Sequence, residues 1–143
     1  MAVKVGCAAW LFTEPAHNPP YDEPIKIIGE MGFDGVELIL RDPPDIEDYY
    51  TKEKRGELRA KMNDYGLTLS EFVCFQNIVY GFTSLDKKDK EASFEWFEKG
   101  CEIARDLGTD MMNIVSPWPQ GISSPNPYPP EHIYPVSNGI AKP

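Results

Sequence analysis

The chain has 143 residues, 41% hydrophobic and 26% charged, which is the length and balance of a globular protein with a real core. Its formal net charge is −9, with 23 acidic against 14 basic side chains and no run of five Lys or Arg, so a nucleic-acid backbone is not an expected partner. No apolar run approaches the roughly 20 residues of a membrane span, and Met1–Trp10 is too short in apolar residues for a signal peptide. Three cysteines, Cys7, Cys74 and Cys101, cannot all pair and form no Cys-x-x-Cys motif. They are expected to be free thiols, which places the chain in a reducing, cytoplasmic compartment.

In chain order, Val3–Ala9 is nearly continuous in apolar and small residues and predicts a first strand buried on both faces. The loop Leu11–Glu23, with Pro15, Pro19 and Pro20, is long for a strand-to-helix connection and points to a role of its own. A helix follows from about Pro24 to Met31, with Ile25, Ile28 and Met31 as its stripe and Gly32 closing it. Gly35–Leu40 predicts the second strand and Arg41–Tyr50 an acidic loop. A helix capped by Thr51 runs to Tyr65-Gly66 with Leu58, Met62 and Tyr65 on one face. Thr68–Phe75 predicts the third strand and Gln76–Leu85 a loop. Lys87–Leu107 predicts a long helix with Phe97, Cys101, Ala104 and Leu107 inward, and Gly100 beside them permits close packing on a strand. Met111–Val115 predicts the fourth strand.

Three helix–glycine–strand joins recur at Gly32, Gly66 and Gly108, 34 and then 42 residues apart. This βαβαβαβ order implies an α/β protein with a parallel sheet and right-handed crossovers, either an open doubly wound sheet or a (β/α)8 TIM barrel. The first loop is not Gly-x-Gly-x-x-Gly and no Walker lysine is present, which disfavours nucleotide binding. Two regions follow: 1–115 as the N-terminal half of a β/α barrel, and 116–143 as a proline-rich loop or arm. Eight of the fourteen prolines lie from Pro117 to Pro143, where only Glu131 and Lys142 are charged. A barrel needs about 250 residues, so about four of its eight β/α units are expected here.

Val3–Trp10, the phrase Met31-Gly32-Phe33-Asp34-Gly35-Val36-Glu37-Leu38, and Ala104–Met112 resemble the xylose-isomerase-like barrels, the superfamily of sugar phosphate isomerases and epimerases and of endonuclease IV. The proline-rich run also resembles the catalytic subunits of bacterial C-glycoside deglycosidases. The resemblance implies a divalent-metal-dependent enzyme, using Mn²⁺, Mg²⁺ or Co²⁺, that moves a proton on the carbon beside a sugar carbonyl. That chemistry is isomerisation, epimerisation or the β-elimination of a C-glycoside-cleaving lyase. In the family, two glutamates, an aspartate and a histidine from the later strands hold the metal. None of these transfers here, so the chain alone is expected to hold no metal and to be inactive without its C-terminal half or another subunit. The alternative is a non-catalytic half-barrel or assembly subunit that docks on a partner chain.

The resemblance further implies a sugar or glycoside substrate packed on an aromatic after strand one and another after strand four, which are Trp10 and Trp118 here. Cys74-Phe75, at the end of strand three, falls where small or apolar residues line the pocket in that family. Glu37 and Glu71 lie within parallel strands, where a charge is costly unless paired. Each is read as a substrate contact, Glu37 also as a brace behind the residues that make one, or else as a carboxylate satisfied by neighbouring backbone or an arginine. His17 and His132 are the two histidines, and their separation is a weak metal signal. His132 reaches the site if the proline-rich segment folds over it, and otherwise is a surface or packing residue. No histidine stands at the ends of strands two or three, which counts against the endonuclease branch.

Overall fold

The computed structural model describes residues 3–115. In chain order these form β1 (Gly6–Ala8), a 3-10 turn (Ala9–Phe12), α1 (Asp22–Glu30), β2 (Gly35–Leu40), α2 (Asp45–Asp48), α3 (Lys52–Asp64), β3 (Thr68–Cys74), α4 (Gln76–Val79), a second 3-10 turn (Tyr80–Thr83), α5 (Lys87–Leu107) and β4 (Met112–Ile114). Each helix-to-strand join turns on a glycine in the left-handed region, Gly32 at φ 82°, Gly66 at 67° and Gly108 at 103°. Helix starts use side-chain caps where the sequence offers one. The Thr51 hydroxyl accepts from the Lys54 N–H at 3.2 Å, and the Asp86 carboxylate accepts from the Lys88 N–H at 2.7 Å.

The four strands pair in parallel in the order β1-β2-β3-β4. That order decides between the two architectures. Right-handed crossovers that always step in the same direction put every helix on one face of the sheet, which is how a barrel winds. A doubly wound sheet needs a reversal of strand order. Val36, Leu38 and Leu40 of β2 and Phe72 and Cys74 of β3 are buried on the helix side. There α5 comes close enough that a Cβ on Gly100 would meet the Cys74 Sγ at 2.8 Å and Leu40 Cδ2 at 3.4 Å. By alternation, Glu37, Ile39, Glu71 and Val73 belong to the opposite face, the lumen side of a barrel.

Several expectations need correction. β1 is confined to Gly6–Ala8, and Val3 and Val5 are 87% and 52% exposed rather than buried on both faces. Among the described residues β1 pairs on one side only, with β2. The inward stripe of α5 is Ser93, Gly100, Ile103, Ala104 and Leu107, while Phe97 and Cys101 are half-buried at its margin. The helix is rotated so that its smallest residue meets the strand. Met31 is 59% exposed because α1 ends at Glu30, before the stripe reaches it. The expected loops Arg41–Tyr50 and Gln76–Leu85 contain α2, α4 and the second 3-10 turn, each of four residues and too short to show a period.

All three cysteines are free. No helix among the described residues is long and apolar enough to cross a membrane.

Candidate functional site

The carboxyl ends of β1, β2 and β3 lead into Trp10, Arg41 and Phe75, and the side chains after these ends assemble at one mouth. The rings of Trp10, His17 and Phe75 stack. Trp10 and His17 centroids are 4.5 Å apart at 25°, and His17 and Phe75 are 5.7 Å apart at 23°. The long first loop delivers His17, and several hydrogen bonds pin it there. Its N–H donates to the Trp10 carbonyl at 3.2 Å, and the Tyr21 hydroxyl donates to the His17 carbonyl at 2.9 Å. Arg41, at the end of β2, donates to the Ala16 carbonyl at 3.3 Å and to the Asn18 side-chain oxygen. His17 itself stands at φ 72°, the left-handed region that a non-glycine residue enters rarely.

Tyr21 also ties the loop to the sheet. Its hydroxyl and that of Tyr50 lie 3.3 and 2.8 Å from the Ile39 carbonyl, whose position on β2 lies beyond the end of the β1 ladder. Burial raises both phenols well above their ordinary values, so both stay neutral donors.

Beneath the stack lie the two carboxyls. β2 and β3 pair Gly35 with Thr68 and Val36 with Leu69, then skip Ser70 and pair Glu37 with Glu71. The bulge aligns the glutamates directly across the ladder. The Ser70 hydroxyl closes the irregularity by donating to the Val36 carbonyl at 3.0 Å. The indole N–H of Trp10 donates to Glu37 Oε1. Burial raises the Glu37 pKa above the ordinary carboxylate value; the Trp10 hydrogen bond opposes that shift and the facing Glu71 adds to it. Such a pair can accept hydrogen bonds and, when one member holds a proton, donate one. Trp10 therefore joins the two parts: its face meets His17 and its N–H meets Glu37.

The structure thus brings four of the sequence-derived site residues, Trp10, Glu37, Glu71 and Phe75, to one mouth, whereas Cys74, expected beside Phe75 in the pocket lining, is buried on the helix side against Gly100 of α5. Trp118 and His132, and the proline-rich region 116–143, lie outside the described residues. Sequence reasoning missed His17 as a member of the stack and Tyr21 and Arg41 as its supports. The signal was the unusual length and proline content of the first loop. Among the described residues no group of three or more His, Cys, Asp or Glu side chains is placed to hold a metal ion. Two carboxyls with an indole donor on one of them do not make a divalent centre.

A family model described as xylose isomerase-like TIM barrel matches residues 25–140. No curated protein matches the chain. Among solved structures, a D-psicose 3-epimerase determined in the presence of D-fructose is similar at TM-score 0.67 and 19% identity, over 86% of this chain and 41% of that one. The D-psicose 3-epimerase of Clostridium cellulolyticum H10, determined with D-tagatose, is similar at TM-score 0.69 and 18% identity, over 85% of this chain and 41% of that one. The chain therefore spans about two fifths of the length of these structures.

Proposed function

The chain belongs to the xylose isomerase-like TIM-barrel family, and from that premise we propose that it supplies the first strands and one wall of the substrate site of a sugar isomerase- or epimerase-like enzyme. The observation that carries this reading is the double engagement of Trp10, stacked on His17 by its face and bonded to Glu37 by its N–H, at the carboxyl end of a parallel sheet where barrel sites are built. Aromatic surface that the stack leaves uncovered suits the apolar face of a sugar ring. Paired carboxyls suit its hydroxyls. The reaction in view transfers a proton at the carbon beside the carbonyl.

In this proposal the divalent metal, Mn²⁺, Mg²⁺ or Co²⁺, belongs to the complete barrel. Its ligands in this reading come from the later strands, and no step assigned to the described residues runs through it. Cleavage of a C-glycoside by β-elimination is the narrower form of the same proposal. β1 and β4 each have one side unpaired among the described residues, and Val5 and Ile114 are 52% and 41% exposed. This supports completion of the sheet by further strands, from the same polypeptide or another subunit. The free thiols support a reducing, cytoplasmic setting.

Titration with D-fructose, followed by the ¹⁵N–¹H indole resonances of the three tryptophans, tests the reading. Trp10→Phe assigns the resonance. The Trp10 signal is expected to move saturably while Trp96 stays in place. A Trp10 resonance unmoved by D-fructose, D-tagatose and D-psicose alike overturns the reading. If an aryl C-glucoside moves it and the ketoses do not, the narrower form replaces the broader.

A further inference from the structure

We infer that His17 contacts the ligand directly, through a hydrogen bond from a ring nitrogen to a sugar hydroxyl, and is not merely packing between two aromatics; this rests on the reading of the mouth as a sugar site. The argument begins with what packing alone would require. The middle member of a three-ring stack needs only an aromatic face, so packing gives the polar ring atoms of His17 no use. Here the middle ring is an imidazole, and among the described residues neither of its nitrogens has a hydrogen-bond partner. It is half-buried, so its faces are used by Trp10 and Phe75 while the edges that carry the nitrogens remain for something else.

The backbone gives a second, independent reason. A non-glycine residue at φ 72° holds local strain, which persists only when its surroundings over-determine it. The surroundings do so here. Trp10 and Tyr21 fix both backbone polar groups of His17, and Arg41 fixes the residues on either side. The fold thus holds one imidazole in one orientation beside the Trp10–Glu37–Glu71 group. A preset ring has little freedom left to lose on binding. An imidazole nitrogen can donate to a hydroxyl or accept from one, which matches the alternating hydroxyls of a polyol or sugar. The ligand class is therefore a polyhydroxylated ring or chain whose hydroxyls meet the His17 edge beside Trp10 and Glu37.

The test uses the full chain and D-fructose as probe, with ¹⁵N-labelled histidine so that the His17 ring nitrogens report together with the Trp10 indole. His17→Phe, which keeps the stack and lacks the nitrogens, assigns the signals. The expected result is that sugar moves a His17 ring nitrogen in step with the Trp10 indole. His17→Phe is then expected to bind about tenfold more weakly, the scale of one hydrogen bond, with its unliganded Trp10 resonance in place. His17→Asn, which tolerates the left-handed backbone and restores a polar edge, is expected to recover part of the loss. If the Trp10 indole moves and the His17 nitrogens do not, or His17→Phe binds as tightly as the parent, the inference is overturned while the sugar site stands. If neither residue responds to any sugar, both fall.

Discussion

Two phenols serving one carbonyl make a quantitative forecast possible. The Ile39 carbonyl has the Tyr50 hydroxyl at 2.8 Å and the Tyr21 hydroxyl at 3.3 Å, and the Tyr21 hydroxyl is also 2.9 Å from the His17 carbonyl. A hydroxyl has one proton to donate, so Tyr21 divides its donation and favours the shorter bond to His17. Tyr50→Phe removes the main donor to Ile39, and Tyr21 remains as a substitute. The loss is set near one net hydrogen bond, about 1 kcal/mol. Tyr21→Phe removes the tie to the His17 loop and leaves Ile39 served by Tyr50, again about 1 kcal/mol. The double variant orphans a buried acceptor, which costs about 1–3 kcal/mol on its own account, so its total is expected near 3 kcal/mol. The two changes should therefore couple by about 1 kcal/mol beyond their sum. Urea unfolding of the four proteins, with the slope m checked for constancy, measures the cycle. If the single losses add to within about 0.3–0.5 kcal/mol, the shared carbonyl is not what links these tyrosines.

The other expectations follow from single sites. Gly100→Ala adds a methyl that meets buried Cys74 Sγ at 2.8 Å, and this overlap is expected to outweigh the ~1 kcal/mol gain in helix propensity, for a net loss of about 1–2 kcal/mol in urea unfolding. Adding Cys74→Ala should reduce the cost of the Gly100 change, and an undiminished cost would place the clash elsewhere. Burial pushes the Cys74 thiol up to about 12 and covers it completely, so at pH 8 its thiolate fraction is on the order of 1 in 10,000. Iodoacetamide should label Cys7 and Cys101 in the folded chain and Cys74 only after unfolding; peptide mapping that finds Cys74 modified at the rate of the others would refute this. Glu37 has a folded pKa above its unfolded one, so its contribution is fully present below the unfolded value and is lost as pH rises through the folded value. Glu37→Gln can still accept from the Trp10 indole and relieves the facing charges, so it should stabilise the fold at pH 7.5 by roughly 0.5–1 kcal/mol and do little near pH 4. Equal effects at both pH values would remove the carboxyl pair as the cause.

The parts of the fold that were legible in the sequence are those with enough length to show a pattern. β2 and α5 occupy the bounds expected of them, and α3 and β3 end within a residue. The three glycines at positive φ mark the joins, as their spacing implies. What was hidden depends on geometry that no period encodes. β1 looks like a buried strand because Val3 and Val5 are apolar, yet its ladder covers only Gly6–Ala8, and Val5, tied to Asp34 by its backbone, leaves its side chain exposed. On α5 the close approach expected at Gly100 and the inward Ala104 and Leu107 are found, while Phe97 and Cys101 lie at the margin because the helix turns its smallest residue, not its largest apolar ones, toward the strand. Glu37 and Glu71 could be singled out as costly charges within strands, but not as partners. Carried on from Gly35 and Thr68 without a bulge, the ladder would set Glu37 against Ser70. His17 was hidden for a related reason: a turn of backbone at one residue brings it onto Trp10, and sequence spacing carries no trace of that turn.

Ser70 gives strand β3 an uneven tolerance to changes of chain length. It is the one residue of that strand with no partner on β2, and the pairing on both sides of it is in register. Deleting it would leave a regular ladder, with Leu69 still opposite Val36 and Glu71 still opposite Glu37, at the loss of the hydroxyl bond to the Val36 carbonyl. A deletion among Phe72–Cys74 would slip the remaining pairs against both β2 and β4. Because side chains alternate between faces, it would also exchange helix-side residues for lumen-side ones. Natural variation in the number of residues along this strand is therefore expected to gather at the position beneath the carboxyl pair, while the rest of the strand keeps its length.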